Sequence, residues 1–515
     1  MLVRDCVIGF LRQVGVDRIF GNPGSTELPM FKQFPDDMEY VLALQEASAV
    51  AMADGFAMAG DRLGVVSLHS AAGVGNAMGN IYTAFKNRAP LLLIAGQQAR
   101  GILPYGPFLG SDDPELLPQP YVKWSCQPDN AADVPAAVAE AYRIAMTHPR
   151  GPVLVSVPVD DWEREADAPV MPTLPDVTTL SVSQLATLVE AFNKAQSPTL
   201  VVGPEAARAW SDVITLAEHL GSPVWVSPFS HQVGFPEDHP LFAGFLPAMR
   251  EGVVQRLQPY DLIVVLGAPV FTYHIDGAGP FIPLHSRLIQ ITECSRVAAQ
   301  SAAGESMVAD VAASVGALLT DAKLASKISN FVRRPVAAIA DNDLTGPVLM
   351  QALARCMPEG CVLVEESPST RAVMHDYLPV VTERGFYTCA SGGLGYSLPA
   401  AAGVAMALPN RPVLALMGDG SSLYSIQALW NMVQAQLPVV VVIVNNGCYK
   451  ALSEFSQHFG LTRLVGTELP GIDFIAQAKA YGMAAESIAN PDELEGRLLA
   501  AFAARKPVLL DIYIT

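Results

Sequence analysis

Apolar residues in this chain fall in short runs bounded by small or polar residues. One passage reads Val65-Val-Ser-Leu-His69-Ser-Ala-Ala-Gly73, continues through a helical stretch and reaches Pro90-Leu-Leu-Leu-Ile94. A second reads Val413-Leu-Ala-Leu-Met-Gly-Asp419-Gly-Ser, continues through a helix and reaches Pro438-Val-Val-Val-Val442. Both predict strand, small-residue turn, helix, strand. Wholly apolar strands alternating with helices imply parallel sheets covered by helices on both faces. Each half also closes on a similar strand, Gly151-Pro-Val-Leu-Val-Ser-Val157 and Lys506-Pro-Val-Leu-Leu-Asp-Ile512.

Between these halves, residues 163–182 are rich in Pro, Asp and Thr without periodicity, as a linker should be, and a second break falls at 333–343. The block between has its own strand candidates, Pro198-Thr-Leu-Val-Val202 and Leu262-Ile-Val-Val-Leu-Gly267. The expected architecture is therefore α/β, with three doubly wound parallel-sheet domains over residues 1–165, 183–330 and 343–515. A charge-free stretch, 386–410, is broken by Gly392, Gly393, Gly395 and Pro399, and predicts a loop followed by an Ala-rich helix.

Composition narrows the function classes. The 515 residues are 51% hydrophobic and 16% charged, which excludes disorder. A formal net charge of -18 disfavours nucleic acid as a partner. Mean hydropathy is +0.30, yet the apolar runs at 91–95 and 439–444 are far shorter than the ~20 residues of a membrane-spanning helix. The first turns carry Arg4, Asp5, Arg12, Asp17 and Arg18, unlike a secretory leader, so a cytoplasmic location is expected. Seven cysteines with no C-x-x-C pair suggest neither a disulfide framework nor a zinc site.

Parallel sheets present ligands at the carboxyl ends of their strands. Gly418-Asp419-Gly420-Ser421 and Asn445-Asn446-Gly447 end two strands expected to be neighbours. Their carboxylate and carboxamide are hard oxygen ligands suited to Mg²⁺, which completes its shell with phosphate oxygens. A helix expected to begin at Ser421 would add N–H groups for those oxygens. Gly-Asp-Gly and Asn-Asn-Gly are each ordinary turn sequences; their joint spacing is far more specific.

That spacing resembles the diphosphate-binding signature of thiamine diphosphate enzymes. With Gly21-Asn-Pro-Gly-Ser25-Thr-Glu-Leu-Pro29, Ala43-Leu-Gln-Glu46-Ala, His69-Ser-Ala-Ala-Gly-Val-Gly-Asn76 and Gly392-Gly-Leu394-Gly, the chain is similar along its length to the 2-oxo acid decarboxylases of that family, in the benzoylformate decarboxylase branch. The resemblance implies a pyrimidine-binding domain, a central domain and a diphosphate-binding domain in that order, with thiamine diphosphate and Mg²⁺ bound between subunits of a homotetramer. It implies that Glu46 hydrogen-bonds the aminopyrimidine ring, and burial around 43–51 would favour its protonated form. Leu394 then supports the bent cofactor, the Gly392 carbonyl approaches the ring, and the backbone carbonyl of Cys448 joins Asp419 and Asn446 on the metal. His69 and His274 resemble the family's active-site histidines, suited to proton transfer near neutrality, and Ser25 its substrate-carboxylate serine.

Phe108, Leu109, Leu452 and Phe455 offer apolar walls for an aromatic or branched substrate. Thr388 stands where the relative has an aromatic pocket residue, and Pro368 removes an N–H near the cofactor. The expected reaction is non-oxidative decarboxylation of a bulky 2-oxo acid to an aldehyde and CO₂. A carboligating enzyme of the acetolactate synthase or benzaldehyde lyase type is the alternative, disfavoured by His69. A non-catalytic homologue is a second alternative, opposed by the retained proton donors. Gly393-Leu-Gly395 lacks the rest of a dinucleotide fingerprint, so NAD is not expected.

Overall fold

The computed structural model describes residues 1–514 except 322, 334 and 340–342, and leaves aside the side chains of 454 and 457. The expected break at 333–343 thus lies partly outside the described residues. Among the described residues, three six-stranded sheets account for the strands. The first runs, in spatial order, Glu39–Leu42, Arg18–Gly21, Gly64–Leu68, Leu91–Gln97, Val153–Pro158 and Trp124–Cys126, with every pairing parallel. The second runs Glu305–Val308, Arg287–Thr292, Leu262–Leu266, Pro198–Val202, Val224–Val226 and Phe242–Phe245, again all parallel. The third runs Phe386–Thr388, Val362–Glu366, Val413–Gly418, Val439–Asn445, Val508–Tyr513 and Ala484–Ile488.

The expected strands are all present, because each is a fully buried apolar run flanked by turn residues. Two expectations change. The 386–410 stretch opens on the short edge strand Phe386–Thr388 before its helix Ser397–Ala407. The helix expected from Ser421 is a single turn, Asp419–Ser422, followed separately by Ala428–Gln434.

The chain divides into two compact units. One comprises Met1–Pro175, Asp341–Ala372 and Tyr387–Thr515, and so holds both the first and third sheets. The other comprises Asp176–Ala340 together with Val373–Phe386. Segment 373–386 thus groups apart from the rest of 343–515, because buried Glu237 accepts from His375 Nδ1 at 2.9 Å and from the Val380 N–H at 3.0 Å, tying that short segment to the central sheet's unit.

Inside the first unit, helices Glu46–Gly60 and Ser397–Ala407 pack with their backbones almost touching. A Cβ on Gly55 would lie 2.3 Å from the Ala400 carbonyl oxygen, and one on Gly403 would lie 1.9 Å from that of Met52. Small residues there are a steric requirement, and the crossing joins the cores of two sheets into one apolar cluster. A carboxylate sits within it. Asp54 is fully buried, with the Tyr396 hydroxyl donating to Oδ1 at 2.7 Å and Asn87 Nδ2 donating to its two oxygens at 3.3 and 3.1 Å.

Burial pushes the Asp54 carboxyl up to about 7, against the lowering pull of Tyr396 and Asn87. Its folded value lies above the unfolded one of about 3.9, so the folded chain holds a proton that the unfolded chain releases. The stability it contributes is complete below about pH 4 and is lost as pH rises through about 7. An Asp54→Asn variant lacks this group. The wild-type melting temperature is therefore expected to fall relative to the variant's as pH rises from about 5 to about 7.5; a difference that stays constant across that range contradicts the assignment.

Candidate active site

Strand Gly64–Leu68 ends at His69, whose extended backbone (φ -85°, ψ 98°) caps helix Ser70–Asn87. Its ring is held from one side by the turn that follows strand Arg18–Gly21. Thr26 Oγ1 and Glu27 Oε2 both lie 3.0 Å from Nδ1. Glu27 is buried, and also accepts the Gly24 N–H at 2.7 Å. A Cβ on Gly24 would come within 2.1 Å of Nδ1, so only glycine leaves room for the ring. A carboxylate at Nδ1 fixes the tautomer with the proton on Nδ1 and leaves Nε2 for a ligand. Ser25 is exposed beside this pair.

Glu46 opens helix Glu46–Gly60 just after strand Glu39–Leu42, with Gln45 capping the helix through the Ser48 N–H at 3.2 Å. Asn76 Nδ2 donates to its carboxylate at 3.2 Å. The expected burial is not provided by this chain alone: Glu46 is half-exposed and its neighbour Leu44 is 42% exposed. The carboxyl tip of a strand faces outward, so the cover must come from elsewhere.

Strands Val413–Gly418 and Val439–Asn445 are parallel neighbours, with Gly418 in register with Val444. Their tips meet through Asp419, whose Oδ2 accepts the N–H groups of Asn446 at 3.1 Å and Gly447 at 2.7 Å, while Oδ1 accepts that of Gly420 at 2.7 Å. Burial pushes the Asp419 carboxyl upward, against the pull of these N–H donors. Asn446 Oδ1 turns back to the Cys448 N–H at 3.1 Å. A Cβ on Gly420 would lie 2.3 Å from the Tyr449 ring, which accounts for the second glycine of Gly-Asp-Gly. Among the described residues no three His, Cys, Asp or Glu gather as a metal site. One carboxylate with neutral oxygens nevertheless fits Mg²⁺, whose remaining ligands are phosphate oxygens and water. Ser421 is buried in the one-turn helix behind Asp419.

Leu394 is half-buried in the turn between Gly392 (φ 73°) and Gly395 (φ 92°), where the left-handed backbone favours glycine. Thr388, a candidate pocket residue, is buried. It is 2% exposed, and its hydroxyl donates to the Glu365 carbonyl at 2.7 Å and accepts from Arg371 Nη2 at 2.9 Å. Phe108 is 87% exposed and Leu452 51%, while Leu109 and Phe455 are half-buried. Pro368 lies exposed in the turn after Val362–Glu366. His274 belongs to the central unit, where it is exposed and meets Phe229 edge-on at 5.8 Å between ring centroids. Sequence reasoning passed over Glu27, because nothing in Ser25-Thr-Glu27 announces a partner 42 residues further on.

Family models for the thiamine pyrophosphate enzymes match in three places: the N-terminal TPP binding domain at 1–115, the central domain at 185–318 and the C-terminal TPP binding domain at 369–512. The chain is 38% identical over 510 residues to benzoylformate decarboxylase of Pseudomonas aeruginosa, covering 98% of this chain and 97% of that protein. The crystal structure of benzoylformate decarboxylase from Polynucleobacter necessarius superposes with a TM-score of 0.96 at 38% identity, covering 100% of this chain and 98% of that one. Thiamine diphosphate-dependent 4-hydroxybenzoylformate decarboxylase of Rhodococcus jostii RHA1 gives a TM-score of 0.94 at 36% identity, covering 100% and 99%.

The contact with Glu27 makes a prediction about the isolated protein. In wild type, imidazole ¹⁵N shifts at mildly alkaline pH are expected to report one neutral tautomer for His69, protonated at Nδ1. A Glu27→Ala variant is expected to show both tautomers in exchange; an unchanged His69 signal contradicts the orienting role.

Proposed function

Because the chain belongs to the thiamine pyrophosphate enzyme family, we propose that it is a decarboxylase of aromatic 2-oxo acids, converting benzoylformate or a ring-substituted relative to the aldehyde and CO₂. The observation that carries this reading is His69, held by buried Glu27 at a strand tip beside Ser25. Decarboxylation leaves a carbon that needs a proton, and a carboxylate-oriented imidazole, once it carries a proton on Nε2 as well, supplies one. In carboligation that carbon bonds to an acceptor carbonyl instead, and the proton goes to the acceptor oxygen rather than to the carbon.

Bound thiamine diphosphate supplies the nucleophilic carbon and the electron sink that carboxylate loss requires. The protein holds it at both ends. Asp419, Asn446 and the Cys448 carbonyl would hold Mg²⁺, and the Ser421 N–H would meet the diphosphate beside Gly420, whose own N–H is held by Asp419 Oδ1. Glu46 would hold a proton against the pyrimidine ring, with Leu394 and the Gly392 carbonyl placing that ring. Ser25 would bind the substrate carboxylate, and His69 and His274 would move protons at the substrate carbon and oxygen. Phe108, Leu109, Leu452 and Phe455 would wall the aromatic side chain and exclude water, which favours loss of the charged carboxylate. Thr388 would act behind that wall by anchoring Glu365 and Arg371.

The same reading assigns residues 1–165 to the pyrimidine, 183–330 to the central domain and 343–515 to the diphosphate. It includes a homotetramer built from dimers with active sites between subunits. Large apolar side chains that follow the carboxyl ends of strands support this: Leu28 is 61% exposed, Tyr105 84%, Tyr424 59% and Phe459 70%. A cytoplasmic location completes the proposal; among the described residues no helix is long and apolar enough to cross a membrane.

A panel of 2-oxo acids graded by side-chain bulk, assayed for CO₂ with thiamine diphosphate and Mg²⁺, tests the reaction and its substrate class together. Benzoylformate is expected to exceed pyruvate in kcat/KM by about 10²-fold or more, a difference a phenyl-sized apolar pocket can supply. Acetolactate from pyruvate with no benzaldehyde from benzoylformate contradicts it.

A further inference from the structure

Strand Val362–Glu366 ends in two buried carboxylates that point in opposite directions, as successive strand residues do. Glu365 meets Arg371 Nε at 2.7 Å. Glu366 instead meets three backbone N–H groups: Oε1 accepts from Gly395 at 2.7 Å, and Oε2 from Tyr396 at 3.0 Å and Ser397 at 2.7 Å. Burial pushes the Glu366 carboxyl up to about 7, even though these donors favour its ionised form. The other polar group of Gly395 is held as well, since its carbonyl accepts from Asn80 Nδ2 at 3.3 Å, and that same nitrogen donates to the Ala47 carbonyl at 2.8 Å. Gly395 itself admits no side chain, because a Cβ would fall 2.8 Å from that of Tyr424.

Every polar backbone group of the residue after Leu394 is thus fixed, and the fixing carboxylate comes from the sheet. A cap for helix Ser397–Ala407 could have come from its own N-cap residue, but Tyr396 makes no side-chain cap bond. The acceptor is drawn instead from 31 residues upstream, on the strand paired directly with Val413–Gly418, whose tip carries Asp419. The Leu394 turn and the Asp419 tip are therefore referenced to the same pair of strands.

We propose that Glu366 is a positioning residue that holds the Leu394 turn at a set distance from the Asp419 tip, so that the aminopyrimidine is pressed toward the reactive carbon when the diphosphate is anchored. The proposal rests on the reading of Leu394 as the support for the cofactor ring.

Glu366→Gln keeps the side chain's shape but replaces one acceptor oxygen with an amide that opposes an N–H. In cofactor-free protein, amide hydrogen exchange at Gly395, Tyr396 and Ser397 is expected to speed by at least about tenfold, with the rest of the helix unchanged. In the loaded enzyme, C2 proton exchange of bound thiamine diphosphate and kcat are both expected to fall about tenfold or more, while KM for the 2-oxo acid stays within about twofold. A variant that loses only melting temperature, with C2 exchange and kcat at wild-type values, overturns the proposal and leaves Glu366 a helix cap. Should Glu366→Gln fail to fold, Glu366→Asp, which keeps both oxygens but withdraws them by one methylene, is measured in the same way against the same expectations. Leu394→Ala separates the two ideas. Wild-type C2 exchange in that variant overturns the reading of Leu394, whereas slowed exchange there beside normal exchange in Glu366→Gln overturns the positioning role alone.

Discussion

The buried carboxylate of Asp419 is the constraint on which the active-site assignment turns. It is 4% exposed, and its backbone partners Gly420, Asn446 and Gly447 are N–H donors from the tips of two adjacent strands. A carboxylate so placed costs free energy unless a positive charge completes its surroundings. The proposed Mg²⁺ would meet that need, and the carboxamide of Asn446 would add a neutral oxygen of the right kind. The local sequence follows from it: Gly420 has no side chain because Tyr449 packs there, and the strands behind are wholly apolar because helices cover both faces.

The remaining chemistry is distributed over carboxyl tips of the two sheets in the same unit. His69 is oriented by Glu27, Glu46 is half-exposed at the head of its helix, and Leu394 rides on a turn clamped by Glu366. A single chain leaves Glu46 half-exposed among uncovered apolar side chains. The proposed pairing of subunits provides that cover, and the drive for it must be apolar, because a net charge of -18 makes two copies repel.

Much of this is legible in the sequence because of what parallel sheets demand. Fully buried strands such as Val439–Asn445 and Leu91–Gln97 must be unbroken apolar runs, and the residues that end them stand out as the first polar positions. Asp419 is readable for that reason, and Asn446 only as the neighbour of Asn445, the first polar position of its strand end. Phe386–Thr388 was not, since three residues at a sheet edge leave no pattern. Nor were Glu27 and Glu366, whose partners lie 42 and 31 residues away and are brought near only by the fold. The direction of Thr388 was equally hidden: an aligned position does not reveal that its hydroxyl is spent on the Glu365 carbonyl. The exposure of Glu46 escaped because Leu44 and Val50 read as an apolar neighbourhood, although Leu44 faces outward.

Calorimetric titration of the cofactor-free protein with thiamine diphosphate tests the central claim most directly. Binding is expected with Mg²⁺ present, to be lost when the metal is chelated, and to be abolished in an Asp419→Ala variant that remains folded. Equal affinity with and without the metal, or in the variant, contradicts the account.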